Sequence, residues 1–287
     1  MHPMTYYDKL FRLCSHMYKQ TPQDFENWKL VDSFSADDGL FVSIFKTDAD
    51  EYVFSVRGSE LFTGEDLESD IQMAERVVPN RYKTALKYYN DIKNSYSPLI
   101  FTGYSLGGSI AQMLGNEFGN ETICFEPFGV GGMVSTKHTN NIVNFGNWYD
   151  IIFIADFAHQ LGDIYIMNVE PTKNGKAGFK RHRLEYCGKP SNSSQYKGER
   201  SNDSVYQDLL DVSDRMVRVN QKIQNKCVAV GHKTMNTLHT GKSYVKRSSK
   251  NLVRNTQKVL NTMSSKLTDK AKQVLLQGGI SITTPQD

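Results

Sequence analysis

The sequence has only four cysteines, Cys14, Cys124, Cys187 and Cys227, spread over 287 residues with no CxxC pair and no histidine at zinc-finger spacing. That excludes a disulfide scaffold, leaves the thiols as reduced core residues, and gives no reason to expect a metal or cofactor. Long apolar runs are also missing: the richest stretch, 151–158, already contains Asp156, far short of the roughly 18 apolar residues a membrane helix needs. The first twenty residues scatter Asp8, Lys9 and Arg12 where a secretory h-region would lie, so the expectation is a cytoplasmic protein, with leaderless secretion as the other route. With 8 Pro, 21 Gly and 39% hydrophobic residues, neither a collagen nor a disordered polymer fits. Aromatic residues are scarce in the most basic region, where Tyr244 stands alone, so nucleic acid is not an expected partner.

The net charge of +3 conceals an uneven distribution. From residue 191 onward 16 Lys and Arg face 7 Asp and Glu, whereas residues 1–190 carry 18 against 24. An acidic body therefore precedes a basic tail, and three segments are expected: a folded domain over 1–190, a Ser- and Asn-rich linker over 191–202, and a basic helical module over 203–287. In the tail, Leu209, Met216, Ile223 and Val230 recur every seven residues, as do Val253, Leu260, Leu267 and Val274, with Gly231 and Gly241 between the two runs. That recurrence predicts a helical tail or hairpin, suited to a helical protein partner or to peripheral contact with an anionic lipid surface.

Within the body, strands alternate with helices. The runs 40–45 and 52–56, joined by the turn 48–50, predict a β-hairpin. Residues 66–76 and 80–94 read as helical, broken near Pro79. A buried strand at 99–102 runs into Gly103, and Leu106, Ile110, Leu114 and Phe118 then mark a helix. Further short strands are expected at 123–125, 142–145 and 164–167, giving an α/β sheet with mixed edges and helices on both faces.

The chemistry-bearing residues sit at the strand-to-helix junction Gly103, Tyr104, Ser105, Leu106, Gly107, Gly108, a G-x-S-x-G pattern. A serine on so sharp a turn projects its Oγ above the sheet, and side chains larger than hydrogen at the flanking positions would collide. Leu106 opens the helix, so its backbone N–H points to where an oxyanion would develop.

Here the sequence resembles the class 3 lipase family of α/β-hydrolases, whose elbow usually reads G-H-S-L-G-G; Tyr104 takes the place of that histidine. Phe54-Ser55-Val56-Arg57-Gly58-Ser59 resembles the family's strand ending in F-R-G-[ST], which implies a second oxyanion donor at Ser59. Asp66 to Ile71 resembles the segment that follows, without its tryptophan, and Asn147 to Ile152 resembles the N-x-x-D-x-V stretch that presents the acid. The likeness spans about residues 5–190. It implies an α/β-hydrolase fold and a serine ester hydrolase acting on a lipid ester, such as triacylglycerol, phospholipid or lysophospholipid.

A serine nucleophile needs a base within hydrogen-bond reach and an acid to orient that base, and in this superfamily the chain order is Ser, Asp or Glu, His. Asp150, just past the strand 142–145, fits the acid, with Asp156 and Asp163 as substitutes. After Asp150 both His159 and His182 stand as bases. The resemblance implies that His159 belongs to a structural H-x-G stretch and that His182 belongs to the family's late H-x-x-x-Y segment, the one that carries the base. The short connection 60–65 leaves little room for a long lid, so an open site is expected. Two alternatives follow from the same sequence: a leaderless antibacterial phospholipase effector docked through its helical tail, and an inactive hydrolase fold that binds lipid or protein.

Overall fold

The apolar strands alternate residue by residue between two cores, and this alternation builds the molecule. Ile44, Phe54, Leu99, Phe101 and Cys124 face one core, while their neighbours Phe45, Val53, Ile100, Ile123 and Phe125 face the other. A sheet that is apolar on both sides must be covered on both sides. A computed structural model of the chain describes residues 3–19, 21–59, 77–150, 152–153, 157–170 and 182–197.

Among the described residues the chain runs through helix α1 (Met4–His16), strands β1 (Lys29–Ser35), β2 (Phe41–Lys46) and β3 (Tyr52–Val56), helix α2 (Asn80–Ile92), strand β4 (Leu99–Tyr104) and helix α3 (Leu106–Phe118). Strands β5 (Thr122–Phe125), β6 (Ile142–Gly146), β7 (Asp163–Met167) and β8 (Ser193–Gln195) follow. The eight strands lie side by side in chain order. The run from β3 to β7 is parallel, while β1, β2 and β8 close the two edges antiparallel.

Parallel strands in strict chain order advance in one direction, and right-handed crossovers then place their helices on a single face. Residues of α2 and α3, among them Tyr82, Tyr89, Ile110 and Leu114, accordingly pack into one core with Phe54 and Phe101. The opposite face is covered by α1, whose Tyr7, Leu10, Leu13 and Cys14 lie against Ile100, Phe125 and Phe145. The fold is thus an α/β-hydrolase-type sheet with helices on both faces, as the sequence leads one to expect.

The expected hairpin is present as β2 and β3, and the helix expected from residue 80 is α2. Two elements at the start of the body, α1 and β1, have no counterpart in the reading above. The linker expected from residue 191 needs correction at its beginning. Ser193–Gln195 pair with β7, and the Ser191 N–H donates to Asp8 on α1 at 2.8 Å, so the sheet claims these residues. The expected helix at 66–76, the rest of the linker and the whole helical module 203–287 lie outside the described residues.

No helix among the described residues is long and apolar enough to cross a membrane. Cys14, Cys124 and Cys187 are buried and form no disulfide; Cys227 lies outside the described residues.

Candidate active site

Strand β4, at the centre of the sheet and buried along its whole length, ends at Tyr104, and α3 begins at Leu106. Ser105 alone joins them, with φ 57° and ψ −129°. A non-glycine residue in that region is strained by about 1–3 kcal/mol and persists only where its surroundings enforce it. Here the Ser105 amide donates to the Phe125 carbonyl at the end of β5 at 2.9 Å, and the helical ladder starts with Ser109 N–H to the Ser105 carbonyl at 3.0 Å. The Leu106 N–H lies ahead of that ladder, so helix geometry assigns it no partner.

The elbow is tight enough that Gly103 and Gly107 have no substitutes. A Cβ on Gly103 would lie 2.4 Å from the Gly107 carbonyl, and one on Gly107 would lie 2.2 Å from the Val56 carbonyl at the end of β3. Gly108 is less constrained, with the Gly103 carbonyl oxygen 2.9 Å from such a Cβ. The segment after β3 crosses directly over the elbow: a Cβ on Gly58 would meet the Tyr104 carbonyl at 2.4 Å and the Ser105 Cβ at 3.3 Å. Ser59, the next residue, is buried beside it.

Ser105, His182 and Asp150 are brought together from three separate segments. The Ser105 hydroxyl lies 2.5 Å from Nε2 of His182, whose Nδ1 lies 2.6 Å from Oδ2 of Asp150. Oδ1 of Asp150 accepts from the backbone N–H of Ile152 at 2.9 Å and of Phe153 at 3.4 Å, which fixes the carboxylate's rotation. With Nδ1–H donating to Asp150, Nε2 is the acceptor for the serine hydroxyl. His159 lies in a short 3-10 turn, where its carbonyl accepts from the Gly131 N–H at 2.7 Å. Of the other acids, Asp163 opens β7 on its exposed side, and Asp156 is outside the described residues. The connection 60–65, on which the expectation of an open site rests, lies outside the described residues. Ser105 is 3% exposed and His182 2% exposed.

Tyr104, where the family has histidine, has a specific task. Its ring stacks on the His182 imidazole, with centroids 5.2 Å apart and planes 25° apart, and its hydroxyl donates to the His182 backbone carbonyl. Burial raises the Tyr104 phenol well above its ordinary range, so it stays a neutral donor. Tyr104→Phe removes that donor and leaves a buried carbonyl unpaired. A stability loss of about 1–3 kcal/mol is expected, read as a fall in the denaturation midpoint at unchanged slope.

Two nearby residues carry no role in the reading above. Glu126 follows the end of β5 with φ 47° and is fully buried, and its oxygens accept from Asn147, from the side-chain amide at 2.5 Å and from the backbone N–H at 3.2 Å. The Cys187 sulfur lies within reach of two acceptors for its one S–H, the Arg183 carbonyl at 3.2 Å and the Tyr104 hydroxyl at 3.7 Å. The one sequence signal for Glu126 is a carboxylate set inside the apolar run 123–130. Among the described residues, no group of three or more His, Cys, Asp or Glu is placed to hold a metal ion.

The chain matches three curated proteins, each named "Putative lipase ATG15". The protein from Candida albicans is 33% identical over 90 residues, covering 26% of this chain and 15% of that protein. The one from Pichia angusta is 31% identical over 103 residues, covering 31% and 18%. The one from Debaryomyces hansenii is 30% identical over 105 residues, covering 31% and 16%. The match thus spans less than a fifth of the length of these relatives. Among solved structures the chain is similar to a triacylglycerol lipase from Penicillium expansum, at 13% identity and a TM-score of 0.47, over 69% of this chain and 84% of that one. No family model matches the chain. Strand order and elbow together give a chain with an α/β-hydrolase-type fold, and the curated proteins it is similar to over part of its length are named as lipases.

Proposed function

We propose that this chain is a serine hydrolase of carboxylic esters acting on a lipid ester, in the manner of a lipase or a phospholipase A. The observation that carries the reading is the continuous relay from the Ser105 hydroxyl through His182 to Asp150, with contacts of 2.5 and 2.6 Å. The names of the sequence relatives support the lipid class.

Ser105 Oγ attacks the ester carbonyl while His182 Nε2 removes its proton, and Asp150 stabilises the resulting imidazolium through Nδ1–H. The carbonyl oxygen becomes an oxyanion, which the N–H groups of Leu106 and Ser59 receive. His182 then protonates the departing alcohol, and water, deprotonated by the same imidazole, releases the fatty acid from the acyl-serine. No metal or cofactor enters these steps.

The test is a panel of p-nitrophenyl esters and defined phospholipids combined with a fluorophosphonate probe on the folded protein. Saturable labelling of Ser105 together with ester turnover is the expected result. A folded protein that neither labels nor turns over any ester would sink the reading and favour the non-catalytic binder. The effector reading depends on the tail, none of which is among the described residues.

A further inference from the structure

The loop that carries the acid is tied to the sheet at its first residue. Glu126 and Asn147 stand just past the ends of the neighbouring parallel strands β5 and β6. The Glu126 N–H donates to the Phe145 carbonyl at 2.7 Å and so continues the ladder. In a parallel pair the next bond would run from the Asn147 N–H to the Glu126 backbone carbonyl. Glu126 bends instead, with φ 47°, and its side-chain Oε2 receives that N–H at 3.2 Å. The Asn147 side-chain amide donates to Oε1 of the same carboxyl at 2.5 Å.

Resting on the hydrolase reading above, we infer that Asn147 is a positioning residue, which pins the loop 147–150 to Glu126 and so aims the Asp150 carboxylate at His182 Nδ1. Both ends of the asparagine serve this loop. Its Oδ1 accepts from the Tyr149 N–H at 2.8 Å, and its backbone carbonyl accepts from the Asp150 N–H at 3.2 Å. The loop is therefore a turn closed twice on its first residue, once through the main chain and once through the side chain. A backbone N–H can only donate, which fixes Oδ1 toward Tyr149 and leaves the amide NH2 for Glu126.

The turn and the acid divide the work. The N–H groups of Ile152 and Phe153 set the rotation of the Asp150 carboxylate, and Oδ2 lies 2.6 Å from His182 Nδ1. The turn sets where the Asp150 backbone stands. Glu126, Asn147 and Asp150 are all 0% exposed, so a partner lost from this set leaves a buried polar group unsatisfied. Asp150 and Cys187 also lie within electrostatic range of the Glu126 carboxyl, and the two contacts from Asn147 are the ones that reach the start of the 147–150 turn.

Exchanging the two side-chain types tests the tie at constant volume. Asn147→Asp keeps an acceptor for the Tyr149 N–H and loses the amide donor to Glu126. Adding Glu126→Gln reverses the pair: the amide at position 126 donates to the carboxylate at 147, and its oxygen still takes the 147 N–H. For the full-length chain, with kcat counted per site titrated by fluorophosphonate, Asn147→Asp is expected to lower kcat about 10- to 100-fold with KM little changed. The double variant is expected to recover kcat to within about fivefold of the wild type. Nitrogen NMR of histidine-labelled protein, taken where the rings are neutral, reads the aim of Asp150 without turnover. His182, identified by the signal missing from His182→Ala, should be the Nδ1–H tautomer in the wild type and the double variant, and should gain Nε2–H character in Asn147→Asp. A wild-type kcat or a wild-type tautomer in Asn147→Asp, or a loss that the double variant does not recover, would each overturn the inference. If Asn147→Asp fails to fold, the double variant decides: folded with the wild-type tautomer it supports the tie, and unfolded or in the Nε2–H form it defeats it. A wild type without turnover defeats the proposed function instead, and leaves the tautomer comparison to judge the tie.

Discussion

Ser105→Ala and His182→Ala are each expected to lower kcat for ester hydrolysis by at least about 10³-fold, with Ser105→Ala melting close to the wild type and His182→Ala melting lower because the buried Asp150 carboxylate loses its partner. Members of a relay act as a unit, so removing either one forfeits most of what the assembled set contributes. The serine supplies the attacking oxygen and the histidine the path for its proton, and the two are in direct contact at 2.5 Å. Both side chains are buried, but alanine at Ser105 removes only one hydroxyl, and alanine at His182 leaves the backbone carbonyl still bound by Tyr104. Ser105→Ala should also abolish fluorophosphonate labelling outright, whereas His182→Ala should slow it. His159→Ala is the control and should keep most of the wild-type rate, since the structure puts His182 on Ser105. Loss of turnover in His159→Ala with a silent His182→Ala would reassign the base.

The sequence makes much of this site visible because its chemistry is local. The elbow is six consecutive residues, and the pairing of a wholly apolar strand with a helix that starts at Leu106 follows from the change of hydrophobic period alone. Asp150 is legible from its place just past the end of a recognisable strand, whereas spacing leaves His159 and His182 both open as the base, and only the resemblance to the class 3 lipase segment prefers His182. The rest is set by tertiary contacts. Helix α1 hides in the sequence because polar residues interrupt its apolar stripe, and only the exposed underside of the sheet gives Leu10 and Leu13 something to cover. Strand β1 alternates between exposed and half-buried positions and carries a register shift between Leu30 and Asp32, so it never shows the apolar run of a central strand. The linker failed at its start for a related reason. Serines at 193 and 194 suit a flexible connection, yet on an edge strand only backbone pairing is required, and β7 supplies it. Glu126 was out of reach because its partner Asn147 is 21 residues away on the far side of a strand crossover.

The second large effect concerns the backbone of the elbow, where Gly107→Ala is expected to destabilise the protein by about 3 kcal/mol and to cut ester turnover at least about 100-fold. Inside a helix, alanine ordinarily gains about 1 kcal/mol over glycine, so intrinsic propensity predicts the opposite sign. Geometry decides against it. The added Cβ would lie 2.2 Å from the Val56 carbonyl, 2.8 Å from the Arg57 carbonyl carbon and 2.9 Å from the Gly58 amide nitrogen. All three are main-chain atoms at the end of β3, which no side-chain rotation can clear, so either α3 or the 56–59 segment must move outward. Both carry an N–H assigned to the oxyanion, on Leu106 and on Ser59, and a displacement near 1 Å opens the gap between those donors and the reacting carbonyl. Gly108→Ala makes the informative comparison. Its closest backbone contact is 2.9 Å, to the Gly103 carbonyl oxygen, so a small shift relieves it and the loss should be clearly smaller than at Gly107. Denaturant titration of the two variants beside the wild type measures the stability difference, and probe labelling of Ser105 in the folded fraction separates a displaced oxyanion site from an unfolded one. Equal stability in Gly107→Ala and wild type would mean that the end of β3 does not press on α3 as closely as the elbow requires.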